Sequence, residues 1–231
     1  MRVWDVNPGY LNDQSLLGEH RELHGIVSII TNNKKGYSRH PETLRWVGFG
    51  WALRQRHQLL CAEMSLRGFQ DKTPVPLRAK KDAWPSDYID APGVQYDLLM
   101  AKYLEKSAGR IPLPETSQAL WAQHKYSVMA RDLKSYKSLG QLVAKTRKRT
   151  KFYELAYELS TILRERPDSG GVRNALQHMW GYVNHFSERP PEVIHQLGEK
   201  ALLKEIQRLS QQYQVTYITS STALSELAAW L

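Results

Sequence analysis

Residues 12–30 read NDQSLLGEHRELHGIVSII, and this stretch decides the kind of fold that the chain can form. Asn12 or Asp13 can cap a helix here, because each side-chain oxygen can accept a hydrogen bond from a free backbone N–H of the first turn. Apolar side chains then recur at spacings of seven, four and three residues: Leu16, Leu23, Val27 and Ile30. This pattern predicts an amphipathic helix with one buried stripe.

The same periodicity predicts helices along the rest of the chain. In the first part they cover residues 41–67, where Gly68 is placed to end the helix, and residues 93–107. In the second part they cover residues 117–130, 133–147, 152–164, 171–186 and 191–213. Residues 215–219 alternate and branch like a strand. We therefore predict an all-α protein.

The prolines divide the chain into two parts. Six of the eleven lie between Lys72 and Pro114, where they interrupt the helical patterns on either side. We expect a compact helical domain at residues 1–115 and a helical bundle at residues 116–231. A chain of 231 residues is long enough for two small domains that each bury a core.

The chain is basic, with 32 Lys and Arg against 23 Asp and Glu and a net charge of +9. Residues 1–115 carry 16 basic and 13 acidic side chains, and residues 116–231 carry 16 and 10, so the second part has the larger surplus. A basic surface favours polyanionic partners, because contacts with phosphates release counterions. Nucleic acid is the partner that we expect.

The composition also bears on location and on sulfur chemistry. No apolar stretch approaches the roughly 18 residues that span a bilayer, and the first residues lack the apolar core of a signal peptide. Cys61 is the single cysteine, so the chain can form neither an internal disulfide nor a cluster of thiolate ligands. We expect a cytoplasmic, nucleoid-associated monomer with no membrane partner.

A second stripe runs along the first predicted helix, away from the apolar one. It consists of Gln14, Gly18, Arg21, Glu22 and Gly25. Two glycines on one helix face leave room for a ligand to approach closely. On the residues alone, Arg21 and Glu22 are better explained as ordinary solvated charges.

The stretch QSLLGEHREL, residues 14–23, resembles the first helix of the pyrimidine-dimer DNA glycosylase/AP lyase family of the phage endonuclease V type. Further motifs of that family follow in the same order: Ala62-Glu63, Arg67-Gly68-Phe69, Asp87-Tyr88-Ile89 and Ala101-Lys102. The resemblance covers about residues 1–110. It implies a DNA repair enzyme whose substrate is double-stranded DNA with damaged pyrimidines or abasic sites.

The resemblance also implies a mechanism. In that family the α-amine of the N-terminal residue forms an imine with the sugar C1′, and a glutamate on the first helix works beside it. Here these roles fall to Met1 and Glu22. We expect Met1 to be retained, because Arg2 is too large for normal removal of the initiator methionine. An α-amino group loses its proton far more readily than a lysine, which suits it to attack a sugar carbon.

Contacts with DNA are implied in the same way at five positions: Arg2, Gln14, Arg21, Lys102 and Lys106. Lys102 and Lys106 are expected on one helical face, four residues apart. Two positions depart from the family, since Ser15 replaces a histidine and Gly25 replaces an arginine that contacts DNA. His24, next to Gly25, is the residue that we expect to contact DNA in its place.

Two pairs of residues, each with at least one histidine, have a spacing that occurs in metal or catalytic sites, but the sequence shows no further residue that would complete either site. His20 and His24 are four residues apart, as metal ligands on a helix can be, but no third ligand stands out. His57 and Cys61 have the same spacing, and a neutral cysteine in helix packing explains that pair better than a catalytic one. We therefore predict neither a metal nor a cofactor.

The second part contains the densest basic run in the chain. We expect Lys145, Arg147, Lys148 and Arg149 to contact nucleic acid, because the repulsion among them needs an anion to offset it. A frayed helix end that carries cations is the alternative.

The stretch NALQHMWGY, residues 174–182, together with residues 124–130 and 136–144, resembles the YbgA-like domain of uncharacterised function over about residues 118–225. Elsewhere that domain accompanies desulfidase domains, which implies a role in binding RNA. Asn174, Gln177 and His178 could form a buried polar network, which we favour, or a pocket or base-reading surface.

Together these features predict a DNA glycosylase/AP lyase that forms an imine and then cleaves the strand by β-elimination. The C-terminal domain adds affinity for nucleic acid, with RNA as a second possible ligand. The alternative is a nucleic-acid-binding protein without catalysis, in which the glycosylase-like domain is degenerate. A third possibility is a helical scaffold with incidental affinity for polyanions.

Overall fold

The structure is a computed structural model that describes residues 1–145 and 149–231. In that part of the chain the regular secondary structure is helical, with twelve α-helices and no strand, which confirms the all-α prediction. The chain forms two compact units, Met1–Gly109 and Arg110–Leu231. The domain boundary after residue 115 stays a prediction. None of the described helices is long and apolar enough to span a bilayer.

The first unit begins with a 3₁₀ turn at Pro8–Tyr10, followed by four helices: α1 Asp13–Thr31, α2 Pro41–Trp46, α3 Gly50–Leu66 and α4 Pro92–Lys102. The Asn12 side chain accepts a hydrogen bond from the Ser15 N–H at 2.9 Å, so the predicted N-cap is confirmed. Helix α1 packs against α3, and Leu16, Leu23 and Leu60 are fully buried between the elements of this unit.

The predicted single helix over residues 41–67 is wrong, because the structure divides it into α2 and α3. Gly48 lies at the break with a φ of +83°, a conformation that favours glycine. At the start of α3, a Cβ on Gly50 would meet the Leu77 Cβ at 2.9 Å, so glycine allows the later segment to pack there. The Trp51 N–H then donates to the Ala79 carbonyl at 2.9 Å. Gly68, with a φ of +84°, follows the end of α3 as predicted.

The third predicted helix also ends earlier than expected. Helix α4 stops at Lys102 instead of residue 107, so Lys102 and Lys106 do not share a helical face. The Tyr103 side chain is buried, and its hydroxyl accepts a hydrogen bond from the Asn12 N–H at 3.1 Å. Beyond it, the chain at Gly109 comes so close to the Tyr10 backbone that a Cβ would meet it at 2.5 Å. These contacts with the start of α1 take the place of a further helical turn.

The second unit contains eight described helices: α5 Ser117–Met129, α6 Leu133–Lys145, α7 Arg149–Ile162, α8 Ser169–Trp180, α9 Pro191–His195, α10 Glu199–Gln212, α11 Thr216–Thr219 and α12 Ala223–Glu226. Helix α5 packs against α6, α7 and α8, and α10 packs against α8. The core includes Leu120, Leu176 and Ile206, which are fully buried.

Three predictions for this unit are wrong. Residues 191–213 form two helices, because Arg173 donates hydrogen bonds to the carbonyls of His195 and Leu197 and so satisfies the chain at the break. Helix α8 ends at Trp180, and a separate 3₁₀ turn follows at Asn184–Phe186. The expected strand at 215–219 is the short helix α11, since the described chain offers no partner strand for its backbone groups.

Candidate active site

Two carboxylates of α1 hold the N-terminal segment of the chain. A side-chain oxygen of Glu22 accepts a hydrogen bond from the Arg2 N–H at 2.5 Å, and Glu19 accepts one from the Trp4 N–H at 3.2 Å. Glu19 and Glu22 are three residues apart, so they lie on adjacent parts of one helix face. The α-amine of Met1 therefore lies within one residue of the atom that Glu22 binds.

Glu19 is the buried member of this pair. Its two oxygens accept hydrogen bonds from Arg56 Nε at 2.7 Å and Arg56 Nη2 at 2.8 Å. The third donor of the same guanidinium, Nη1, binds the Val6 carbonyl at 2.8 Å. This planar arrangement ties α1, α3 and the N-terminal segment together.

A second set of contacts fixes the next residue of the segment. The Asp5 N–H donates to Gln95 Oε1 at 2.8 Å, and Gln95 Nε2 donates to Asp5 Oδ2 at 2.9 Å. The other Asp5 oxygen pairs with Arg45 of α2. Residues 2–6 are therefore anchored to α1, α2, α3 and α4, which limits the positions that the terminal amine can take.

Two of the predicted DNA contacts meet beside Trp4. The guanidinium of Arg2 lies 4.1 Å from the Trp4 ring centroid, and Lys102 Nζ lies 6.0 Å from it. Arg2 also pairs with Asp90 at 2.7 Å. The structure thus brings together Arg2 and Lys102, which lie near opposite ends of the sequence of this unit.

The other predicted contacts of the first unit lie on exposed surface. Gln14 and Arg21 are exposed on α1, where Arg21 Nε donates to the Leu17 carbonyl at 3.2 Å. Lys106 is exposed beyond the end of α4. A Cβ added at Gly18 or Gly25 would meet nothing within 4 Å, so the face of α1 that carries Glu22 has open space in front of it.

His24 lies on a different face of α1, in a cluster with His20, His57 and Asp71. His24 Nε2 is 3.2 Å from His57 Nε2, and Asp71 Oδ1 accepts a hydrogen bond from His20 Nε2 at 3.0 Å. The structure places His24 beside Arg21, since both line one surface groove, but on nearly the opposite side of α1 from Glu22, and its contact with DNA stays a prediction. The sequence pairs His20 with His24 but gives no sign that His57 and Asp71 lie beside them.

Burial disfavours protonation of two histidines of this cluster, His24 and His57. Burial lowers the pKa of His57 to about 4 and also lowers the pKa of His24. Partial burial acts against ionisation of Asp71, but hydrogen bonding and the neighbouring histidines hold its pKa below the usual value. Burial, with the Asp71 charge, raises the pKa of Cys61 to about 12, so this thiol stays neutral as the sequence indicated. Neutral imidazoles beside an ionised carboxylate are competent metal ligands.

The structure describes only part of the predicted basic run of the second unit. Arg147 and Lys148 lie outside the described residues, and Arg149 is the first residue of α7. Lys145 is exposed at the end of α6 and shares one face with the exposed Lys134 and Lys137. The buried residues of α6, Leu139 and Val143, lie on the opposite face, so α6 presents a basic surface.

The favoured buried network at residues 174–178 is wrong. Gln177 and His178 are exposed and Asn174 is half-buried, because α8 buries Leu176 and Met179 instead. His124 is buried on α5 and contacts the Leu120 carbonyl at 2.8 Å.

A cluster of aromatic side chains surrounds Lys125. Its Nζ lies 4.8 Å from the Tyr126 ring and 4.9 Å from the Tyr217 ring, and the Tyr182 and Tyr217 rings are 4.6 Å apart. Although burial works against it, hydrogen bonds from Lys125 and Tyr126 lower the pKa of Tyr217. Tyr217 lies in α11, where the sequence predicted a strand.

The matches to known protein families fall separately in the two units of the chain. Residues 1–77 match the family described as pyrimidine dimer DNA glycosylase, and residues 125–227 match the family described as protein of unknown function (DUF1722). Both resemblances are thus confirmed, and the family of the first segment implies DNA as a ligand. The first match includes Met1, Arg2 and Glu22, whereas Lys102 lies outside it. No curated protein and no solved structure gives a significant match to the chain.

Proposed function

We propose that the first unit is a DNA glycosylase/AP lyase whose nucleophile is the α-amine of Met1 and whose catalytic carboxylate is Glu22. The observation that carries this proposal is the 2.5 Å hydrogen bond between the Arg2 N–H and Glu22, which holds the chain terminus beside the carboxylate. The match of residues 1–77 to a glycosylase family supports the same reaction class.

The chemistry follows from these two groups. The neutral amine attacks the sugar C1′, and the bond from C1′ to the damaged base breaks; at an abasic site, water leaves from the sugar aldehyde instead. At a damaged nucleotide the attached nitrogen then loses one proton, and the C1′–O4′ bond breaks with O4′ taking up a proton, so that an iminium forms between the nitrogen and C1′. A proton is then removed from C2′, and the electrons of that bond expel the 3′ phosphate. Glu22 offsets the positive charge that grows on the sugar and iminium and assists the proton transfers.

Anchoring of the N-terminal segment reduces the entropic cost of this attack. A chain terminus is normally mobile, but contacts with Glu19, Gln95 and Arg56 hold residues 4–6 in place. A nucleophile that is already positioned reacts with a smaller loss of conformational freedom.

The surface around the amine suits a phosphate backbone. Arg2, Arg21 and Lys102 supply positive charge, and Gln14 supplies a neutral donor. Gly18 and Gly25 leave the α1 surface low enough for the DNA backbone to approach. These contacts would position the duplex and offset the cost of exposing the damaged nucleotide.

The second unit contributes affinity for nucleic acid in this proposal. The exposed Lys134, Lys137 and Lys145 on one face of α6 support that role, because cations clustered along one helix face attract a phosphate backbone. Double-stranded DNA is the ligand that we propose, and RNA is the alternative that a competition experiment decides.

Borohydride trapping tests the chemistry. The native chain, with intact mass confirming that Met1 is retained, should form a covalent adduct with duplex DNA that carries an abasic site. Acetylating the N-terminus or extending it should abolish the adduct. Glu22→Gln should abolish strand cleavage with little loss of DNA binding, whereas Glu158→Gln, an exposed glutamate of α7, should behave as the wild type.

Two outcomes contradict the proposal. An adduct that survives N-terminal blocking assigns the nucleophile to another amine. Binding of DNA without any adduct on abasic DNA or on DNA with pyrimidine dimers supports the non-catalytic alternative.

A further inference from the structure

Three segments of the first unit converge on one small volume. His20 and His24 come from α1, His57 comes from α3, and Asp71 comes from the loop that follows α3. Each offers one ligand atom, and these four atoms lie within 4.8 Å of one another. We propose that these residues bind one Zn²⁺ ion, which joins the three segments.

The distances agree with a tetrahedral site. Ligand atoms at about 2.0–2.1 Å from a tetrahedral zinc ion are about 3.3–3.4 Å from each other. In the cluster, Asp71 Oδ1 lies 3.0, 3.7 and 3.9 Å from Nε2 of His20, His57 and His24. The two facing imidazoles of His24 and His57 are 3.2 Å apart. These values lie on both sides of the tetrahedral separation, so small side-chain rotations would complete the site.

The donor set distinguishes a zinc site from a calcium or magnesium site. Three imidazole nitrogens and one carboxylate oxygen suit zinc, whereas calcium and magnesium prefer sites built from oxygen. Cys61 Sγ lies 3.5 Å from His57 Nε2, but it is outside the group of four ligand atoms that lie within 4.8 Å of one another, so it is not counted as a ligand.

The site is accessible to an ion from solvent. His20 and His24 line a surface groove of about 550 Å³ whose other wall includes Thr73 and Pro74, close to Asp71 in sequence. The side chains of His24 and Asp71 are 22% and 20% exposed, whereas His57 is 6% exposed and closes the inner side. An entry path exists, and the bound ion would be largely enclosed.

The position on α1 gives the ion a structural role. His20 and His24 each lie two residues from Glu22, and two residues of an α-helix turn through about 200°. The cluster therefore lies on nearly the opposite side of α1 from the proposed catalytic carboxylate. The ion would fix α1 against α3 without touching the reacting atoms, so this inference does not depend on the proposed reaction.

Without an ion, the same contacts would form a hydrogen-bonded histidine network. His20 would donate to Asp71, and either His24 or His57 would donate its Nε2 proton to the other. The two arrangements differ in one measurable property, which is stoichiometric and site-specific binding of metal.

The test uses the full chain after treatment with a strong chelator. Titration with Zn²⁺ alone should show one bound equivalent by calorimetry and raise the midpoint of thermal unfolding. Titration with Co²⁺ should give the intense visible absorption of a four-coordinate ion. His57→Ala and His24→Ala should each lower the affinity by at least about 100-fold, since even losing a residue that only supports a ligand costs 10–100-fold.

Two further variants keep the result interpretable. His178→Ala changes an exposed histidine of the second unit and should bind as the wild type. Asp71→Asn changes a partly exposed loop residue, so it tests the site even when a buried histidine variant fails to fold. The proposal is overturned when the folded wild type binds no stoichiometric Zn²⁺, or when Asp71→Asn and His24→Ala bind as tightly as the wild type.

Borohydride trapping separates this proposal from the previous one. The metal-free chain, held below its unfolding transition, should still form the adduct, because Glu22 lies on the other side of α1. Metal binding without trapping would contradict the proposed reaction alone, and trapping without metal binding would contradict the proposed site alone.

Discussion

Arg56 is the side chain whose removal should most disturb the N-terminal segment. Arg56→Met keeps much of the volume but removes two hydrogen bonds to Glu19, at 2.7 and 2.8 Å, and one to the Val6 carbonyl, at 2.8 Å. The side chains of Arg56 and Glu19 are 4% and 1% exposed, so water cannot replace the guanidinium that Glu19 loses. Loss of one partner from a buried ion pair costs about 3–5 kcal/mol, and we expect the free energy of unfolding of the first unit to fall by that amount.

Urea unfolding followed by tryptophan fluorescence measures this loss as a lower denaturation midpoint. A second substitution, Glu19→Gln, removes the unpaired charge but keeps an oxygen for the Trp4 N–H. Added to Arg56→Met, it should recover at least half of the lost free energy. Borohydride trapping should slow in the single variant, because the segment that carries the amine loses an anchor.

The pH dependence gives a further check on the same variant. Burial raises the pKa of Glu19 from 4.5, and Arg56 acts against that rise. Without Arg56 the pKa rises further. A raised carboxyl pKa favours the folded state at low pH, and this benefit is lost as the pH rises through the raised value. The penalty of Arg56→Met should therefore be largest at neutral pH and shrink on acidification. A loss below about 1 kcal/mol, a penalty independent of pH, or no recovery by Glu19→Gln would refute this reasoning.

Three more outcomes follow from other parts of the molecule. Gly18→Ala should raise the free energy of unfolding by about 0.5–1 kcal/mol in urea unfolding, because alanine has the higher helix propensity and nothing lies within 4 Å of the new Cβ. Gly18→Leu should weaken DNA binding, measured by fluorescence anisotropy, without loss of stability. Charge reversal at Lys134 and Lys137 should weaken nucleic-acid binding. The slope of log affinity against log salt concentration should fall by about one for each phosphate that the variant no longer neutralises. An unchanged slope would contradict a role of these lysines in binding. Burial lowers the pKa of His124 to about 4, so the stability of the second unit should be complete above pH 6.5 and fall by about 3 kcal/mol as the pH drops from there through 4. His124→Gln should flatten that dependence in urea unfolding, and an unchanged pH profile would show that His124 is not the group responsible.

The sequence predicts local features of this fold, such as helix caps, better than breaks between helices and contacts between distant segments. The cap at Asn12 and the stop at Gly68 depend on neighbouring residues, and both are confirmed. The break at Gly48 was missed because apolar periodicity continues on both sides of it. Packing of a later segment against Gly50 decides the start of α3, and no local pattern contains that information.

The candidate sites show the same contrast. Pairing of Glu22 with the N-terminus came from resemblance to a family, since a separation of 20 residues has no periodic signature. His57 and Asp71 lie 37 and 51 positions from His20, and they meet it only because α1 packs against α3 and the following loop returns to α1. A search for histidines on two helices expected to pack together could have suggested His57, but Asp71 had no such signal.

Helix α1 divides its polar residues among three directions, so that under the proposed mechanism one helix serves both stability and chemistry. Glu19 points into the core, where Arg56 balances its charge and Trp4 is held. Glu22, one turn further, is only half-buried and binds the chain next to the terminal amine. Exchanging these roles would fail, because a fully paired carboxylate cannot respond to charge that develops during a reaction. His20 and His24 take the third direction, where an ion or a histidine network can fix α1 against α3 at a distance from the reacting atoms.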